Sequence, residues 1–236
     1  MNKEILPTEK HPLQPFLPEG ARILMLGSFP PARKRWSMDF FYPNWINDMW
    51  RIWGLIFFGD KEYFVAESSA GTKLKAFDKE RCSGFAAEKG IAMYDTAYEV
   101  RRLRDNASDK FLEVVQTTDI LSLLEEIPEC SAIVTTGQKA TDVIVEMFGC
   151  EEPEVGEYTE FTFTNSTVVT HQSSGDASIE TEKNRTRSFR FWRMPSSSRA
   201  YPLPLEEKAE FYRVMFRKEI GLFPPNNQQS RPYKRS

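Results

Sequence analysis

Three short apolar runs, each closed by a glycine or a small polar pair, constrain the fold of this chain more than any other feature. They are Arg22–Ser28 (RILMLGS), Ile91–Thr96 (IAMYDT) and Ala132–Gly137 (AIVTTG). Uninterrupted apolar runs of this length are what parallel strands need when helices cover both faces of a sheet. Helical patterns stand between them. Asn47 or Asp48 caps a helix through about Phe58, with Met49, Ile52, Trp53 and Ile56 on one face. Lys73–Lys89, Asp119–Ile127, Gln138–Phe148 and Leu205–Ile220 read as further helices, the last stopped by Gly221 and Pro224–Pro225. The alternation predicts an α/β fold with a parallel sheet covered on both sides.

Glu157–Thr170 departs from that pattern. Its alternating Phe161 and Phe163, then Val168 and Val169 beyond an Asn-Ser turn, predict an inserted β-hairpin before the last strand, Phe189–Met194. His171–Arg187 is rich in Ser and Thr with almost no apolar content, and is expected to be a mobile loop. Four prolines in residues 1–20 predict an extended N-terminal arm. Residues 21–223 are then expected to form one domain, and the basic stretch 224–236 a disordered tail. Three scattered cysteines supply neither a disulfide framework nor a sulfur-ligated metal site. With no apolar run of membrane-spanning length and no signal-like start, the expectation is a cytoplasmic protein of a bacterial cytosol or nucleoid, without a membrane partner.

Ligands of open α/β sheets collect beyond the carboxyl ends of the strands. That rule nominates the loops Gly27–Asn47, Asp95–Asp109, Gly137–Gln138 and Pro195–Ala200. Gly27-Ser28-Phe29-Pro30-Pro31 lacks the spaced glycines and the Lys-Ser/Thr ending of a nucleotide-binding loop, and its two prolines make it a stiff wall. Phe40-Phe41-Tyr42 offers flat aromatic faces, or alternatively plugs the loop onto the sheet. Pro195-Ser196-Ser197-Ser198-Arg199 supplies hydroxyls, backbone amides and a charge suited to phosphates. Six basic residues, Lys183, Arg185, Arg187, Arg190, Arg193 and Arg199, oppose only Glu182 between Thr181 and Arg199. Arg33-Lys34-Arg35 and Arg101-Arg102-Arg104 add two more clusters, and all three are expected at one edge of the sheet; the alternative is a solvated charged face. The net charge of −3 conceals such local patches, because Glu151–Glu160 holds five Glu and no basic residue. Hydrolytic triads and zinc motifs are missing, with only His11 and His171 present, so metal chemistry is not expected.

In this order, the strand followed by Gly-Ser-Phe-Pro, the stretch ending Asn47-Asp48-Met49-Trp50-Arg51 and the late Pro-Ser-Ser-Ser-Arg-Ala loop resemble the uracil-DNA glycosylase superfamily, from about Arg22 to Phe216. The similarity is greatest to the branch that includes the DNA-deoxyinosine (hypoxanthine) glycosylases. It implies a three-layer α/β/α fold with a short, mostly parallel central sheet. It also implies a monomeric, cofactor-free and metal-free enzyme that flips a deaminated base, uracil or hypoxanthine, out of DNA and hydrolyses its N-glycosidic bond. In better-known branches the residue two positions after the first glycine is an Asp or Asn that positions water; here it is Phe29. The hypoxanthine branch uses an Asn farther along, in Tyr-Tyr-x-His-Pro-Arg-Asn, which matches Phe40–Asn47 with one residue more and no His. The resemblance therefore assigns the water-positioning role to Asn47, with Asn44 and Asp39 as alternatives. It assigns the base pocket to Gly27, Ser28, Phe29, Pro30, Phe41, Tyr42 and Asp95. DNA contacts fall to Pro195, Ser196, Ser197, Ser198 and Arg199, with Arg190 and Arg101 added from the basic clusters. Asp95 stands where the family has a base-reading Asn, and as a carboxylate it suits a base presenting N–H groups; alternatively it caps the following turn. The missing histidines leave a second expectation, a catalytically weak or inactive DNA-binding module of the same fold, and a third, a hydrolase using Ser197.

Overall fold

The computed structural model describes residues 6–103, 111–172 and 178–221. Its central sheet has five strands in the spatial order β5 (Ile91–Asp95), β2 (Ile23–Gly27), β8 (Ala132–Thr136), β10 (Ser178–Met194), β9 (Tyr158–Gln172). The first four run parallel, and β9 closes the edge antiparallel to β10. Every residue of β2 and β5 is buried, as parallel strands sandwiched between helical layers require. The chain goes from β2 to β5 on one side, then back across β2 to β8 and on to β10. Right-handed crossovers therefore put α1 (Met49–Phe58) and α2 (Lys79–Glu88) on one face, and α3 (Ile120–Glu126) and α4 (Gln138–Phe148) on the other. The last helix, α5 (Leu205–Ile220), packs on α1, where Trp53 meets Phe216 edge-on at 5.6 Å and Phe85 at 5.8 Å. Helices thus flank a mostly parallel sheet, the expected α/β architecture. No described helix is long and apolar enough to cross a membrane.

Two small sheets surround this core. β1 (Thr8–Lys10), β6 (Ala97–Arg102) and β7 (Leu112–Thr117) form an antiparallel sheet in the order β1-β6-β7. Part of the first twenty residues is thereby paired, and a strand begins where the loop Asp95–Asp109 is expected. Lys73–Phe77 is strand β4, paired with β3 (Val65–Glu67), rather than the start of a helix. Asp78 explains the boundary: its carboxylate accepts from the amide of Arg81 and starts α2 there.

The hairpin is longer than the sequence implies. β9 continues through Asn165-Ser166 to Gln172, and β10 begins at Ser178, so His171–Gln172 and Ser178–Arg187 lie in paired strands instead of a loop. β-Branched residues recur through both strands, Thr and Val in β9 and Ile179, Thr181 and Thr186 in β10, which suits extended pairing, and Asn-Ser lacks the glycine that a tight two-residue hairpin turn favours. Residues 173–177, Arg104 and the tail 224–236 lie outside the described residues.

Direction matters more than length. β10 reaches the sheet's carboxyl edge only at Met194, so Arg190 pairs with Ala132, the first residue of β8, roughly 13 Å from that edge. Arg187 and Arg190 therefore do not converge there, whereas Arg199 does. Arg187 donates to the carbonyls of Leu124, Ile127 and Cys130 beyond α3, and Arg193 pairs with Glu152. Arg190 donates twice to the buried carboxylate of Glu219 on α5, each bond 2.8 Å, and Trp192 Nε1 donates to the same group at 2.7 Å. These arginines pin helices to the sheet. Glu219→Ala leaves a buried indole N–H and a guanidinium without their acceptor and is expected to cost on the order of 3 kcal/mol, read as a lower urea midpoint with unchanged slope. Glu219→Gln, which keeps one acceptor oxygen, is expected to cost less.

Candidate active site

Adjacent β2 and β8 send their connections to opposite faces of the sheet, the arrangement that opens a crevice at the carboxyl edge. A cavity of about 640 Å³ lies there, and its walls come from six separate parts of the chain, Leu13 among them. Gly27, Ser28, Phe29 and Pro30 form one side; Phe41, Tyr42, Asn44 and Asn47 another; Asp95, Thr136 and Ser196–Arg199 complete it.

Gly27 is a glycine because of what faces it. A Cβ at this position would lie 2.4 Å from Asp95 Oδ1, across the β2–β5 pairing that sets Gly27 opposite Asp95. The backbone around the carboxylate is fixed by Thr96 N–H donating to Gly27 O, Ala97 N–H to Ser28 O, and Thr118 Oγ1 to Asp95 O. The other carboxylate oxygen, Oδ2, meets His11 Nε2 at 2.9 Å. His11 is buried, and packs on Phe29 edge-on at 5.4 Å and on Tyr94 at 4.4 Å. Burial, then the neighbouring Asp95, pushes the Tyr94 hydroxyl up to about 12, so that ring stays neutral beside them. Asp95 is not free to act as a simple turn cap, and His11, expected in a loop, is a structural partner of the site.

The aromatic stretch divides its labour. Phe40 and Phe41 belong to the hydrophobic core, and only Phe41 also reaches the cavity wall. Phe29 is 7% exposed and packs in a second small core with Ala97, Val100 and Leu112. Tyr42 is the half-buried ring of the group. It sits at φ +52°, a left-handed conformation that costs a tyrosine about 1 kcal/mol or more, and its hydroxyl meets Thr136 Oγ1 at 3.4 Å.

The opposite wall hangs on one carboxylate. Asp48 is buried; its Oδ1 accepts from Arg199 Nε at 2.8 Å, and its Oδ2 lies 3.6 Å from Lys208 Nζ. Its own amide donates to Ser197 O, while Lys208 donates to Ser198 O at 2.7 Å and Tyr212 to Pro195 O at 2.9 Å. Asn47 and Ser198 form an antiparallel bridge alongside. The serine loop is thus clamped between the start of α1 and α5. Asn47, the residue before the Asp48 N-cap, accepts at Oδ1 from Met49 N–H at 2.9 Å, a turn bond at the start of α1 that leaves one lone pair of that oxygen and the amide NH₂ available. Asn44 Oδ1 accepts from Ile46 N–H at 3.2 Å. Ser197 is 3% exposed and lies on the cavity wall between Ser196 and Ser198.

Four candidates lie off the cavity wall. Asp39 is exposed and paired with Arg33 at 2.6 Å, and Arg101 pairs with Glu113 and donates to Leu6 O. Arg190 is held by Glu219, and Pro195 serves through its carbonyl. Arg102, by contrast, braces the site from behind, donating to Glu9 and to Pro30 O. Arg35, named in the sequence only as part of a basic cluster at this edge, lines the cavity, and its buried Nε meets no hydrogen-bond partner among the described residues. Among the described residues, no three His, Cys, Asp or Glu side chains gather as a metal-binding set.

No family model matches the chain, and no curated protein does. Among solved structures the fold is similar to the solution NMR structure of a protein from Methanosarcina acetivorans, provisionally named a uracil DNA glycosylase. The two share 19% identity with a TM-score of 0.50, over 87% of this chain and 96% of that one. The likeness is one of fold.

Gly27→Ala forces Asp95 out of place and is expected to destabilise by about 1–3 kcal/mol. In an Asp95→Ala background the same substitution is expected to cost much less. A double-mutant cycle by urea denaturation checks the coupling.

Proposed function

We propose that the chain is a monofunctional DNA glycosylase of the uracil-DNA glycosylase superfamily, acting on a deaminated base in its hypoxanthine-type branch. One observation carries the reading: Gly27–Pro30, Tyr42, Asn47, Asp95 and Ser196–Arg199, remote in sequence, line a single cavity at the carboxyl edge of a sheet whose fold matches a protein of that name. A flipped nucleotide fits its chemistry. The base enters against Tyr42 and Phe41, where stacking returns about 1–3 kcal/mol of the few that flipping costs. Asp95 Oδ1 accepts an N–H from the base edge, and Ser196, Ser198 and Arg199 take the phosphates at the rim, joined by Arg35. Asn47 orients a water toward C1′ of the sugar. Bond cleavage passes through an oxocarbenium-like state, so a fixed polar surround and a placed water supply much of the rate without a strong base. The same reading takes the protein as a monomer working in a reducing cytosol, with residues 21–223 as one domain preceded by the N-terminal arm 1–20.

The second reading, a DNA-binding module with little catalysis, is favoured by the bond from Met49 N–H to Asn47 Oδ1, which commits half of that oxygen to holding the helix.

Duplexes carrying uracil, hypoxanthine, xanthine or a G·T mismatch, treated with protein and then alkali, decide between them. Strand cleavage at uracil or hypoxanthine is expected, falling by about a hundredfold or more in Asn47→Ala. Binding without cleavage of any duplex supports the module instead. Affinity is expected to drop steeply with added salt and to lose part of that dependence in Arg199→Ala or Arg35→Ala.

A further inference from the structure

We propose that His11 is a positioning residue of the cavity. By fixing the Asp95 carboxylate, it makes the site selective for a heterocycle that presents a ring N–H, such as the lactam or imide N–H of hypoxanthine or uracil. The inference deepens the glycosylase reading and rests on it for the identity of the ligand.

A lone aspartate on a cavity wall swings about its side-chain torsions and offers either oxygen at many angles. Here one oxygen is taken. His11 Nε2 holds Oδ2 at 2.9 Å, which leaves Oδ1 as the atom facing Gly27 at the cavity wall. The imidazole has little freedom of its own. Its side chain is 0% exposed, flanked by Phe29, Tyr94 and, stacked at 6.3 Å, Phe41. Leu13 secures the far nitrogen in either protonation state of the ring. A neutral ring accepts at Nδ1 from Leu13 N–H at 3.2 Å, and a charged ring donates from Nδ1 to Leu13 O at 2.9 Å. Both arrangements keep an N–H on Nε2 pointed at Asp95.

The segment that carries His11 is anchored on both sides. His11 N–H donates to Tyr98 O, and Thr8, Glu9 and Lys10 pair with Arg101, Val100 and Glu99. Farther on, Phe16 and Met93 exchange backbone bonds at 2.9 and 3.0 Å. Leu13 itself lines the cavity. The N-terminal segment therefore completes the recognition wall, and Asp95 becomes a single acceptor at one place. A ligand with N–H there gains a charge-assisted bond, whereas one methylated there loses the bond and collides with an oxygen that cannot retreat.

The test reads the histidine directly in the native protein. With 15N-labelled full-length chain, the His11 Nε2–H resonance is followed while 1-methyluracil, which keeps N3–H, or 1,3-dimethyluracil, which lacks it, is added. A shift with 1-methyluracil and none with the dimethyl compound is expected. Equal response to both, or to neither, overturns the proposal. In parallel, His11→Leu is expected to narrow the preference for uracil over 3-methyluracil in duplex DNA by about ten- to a hundredfold, while His11→Gln, which retains an N–H donor, keeps most of it. A folded His11→Leu protein with the wild-type preference also overturns it. The two readings separate cleanly. Base-selective response of His11 without cleavage of any duplex leaves this inference standing and removes the glycosylase; cleavage with an indifferent His11 does the reverse.

Discussion

The candidate site depends first on the carboxylate of Asp48. It sits at the start of α1, yet its partners, Arg199 and Lys208, come from the loop after β10 and from α5. Burying that carboxylate alone would be very costly, and burying the Lys208 ammonium, whose side chain is 1% exposed, would be equally so. Burial lowers the pKa of Lys208, and Asp48 works against that shift. Each charge is tolerable because the other is present, and together they force two distant loops to meet. From that meeting follow the Asn47–Ser198 bridge, the bond from the Asp48 amide to Ser197 O, and the closed wall of the cavity.

The facing wall is built on the opposite device, an absence of atoms. Gly27 leaves room for Asp95 where any side chain would collide, and the carboxylate thereby comes within reach of His11. A strained Tyr42 and the stiff Pro30-Pro31 pair lie on the cavity wall in the same loop. Rigid, partly strained walls around a cavity of about 640 Å³ suit a task in which the surroundings of a reacting group must be set beforehand.

What was legible in the sequence follows from locality. The strands β2, β5 and β8 announce themselves because a parallel strand must be apolar on both faces, and the helices because their periodicity is local. Gly27, Asn47 and Ser196–Arg199 were accessible because strand ends in such folds gather ligands. The failures arise where a distant partner decides. Nothing near His11 indicates a carboxylate 84 residues away. The direction in which β10 travels, and therefore the fate of Arg190, is set by its register against β8. Lys73–Phe77 carries a pattern that fits a helix face or an edge strand, and β3 settles it. Even Arg187, Arg190 and Arg193, readable as a DNA surface or as solvated charge, prove to be internal ties to the carbonyls beyond α3, to Glu219 and to Glu152.

The central claim is that a nucleotide enters the cavity at the carboxyl edge of β2, β5, β8 and β10. Hydrogen–deuterium exchange of the full chain, alone and with a duplex bearing a non-hydrolysable 2′-fluoro-deoxyuridine, tests it most directly. The account predicts slowed exchange at the amides of Ser28–Phe29, Thr96 and Ser196–Arg199, with β9 and the amino-terminal half of β10 unchanged. Protection confined to that hairpin, with the cavity loops exchanging as in the free protein, would contradict it.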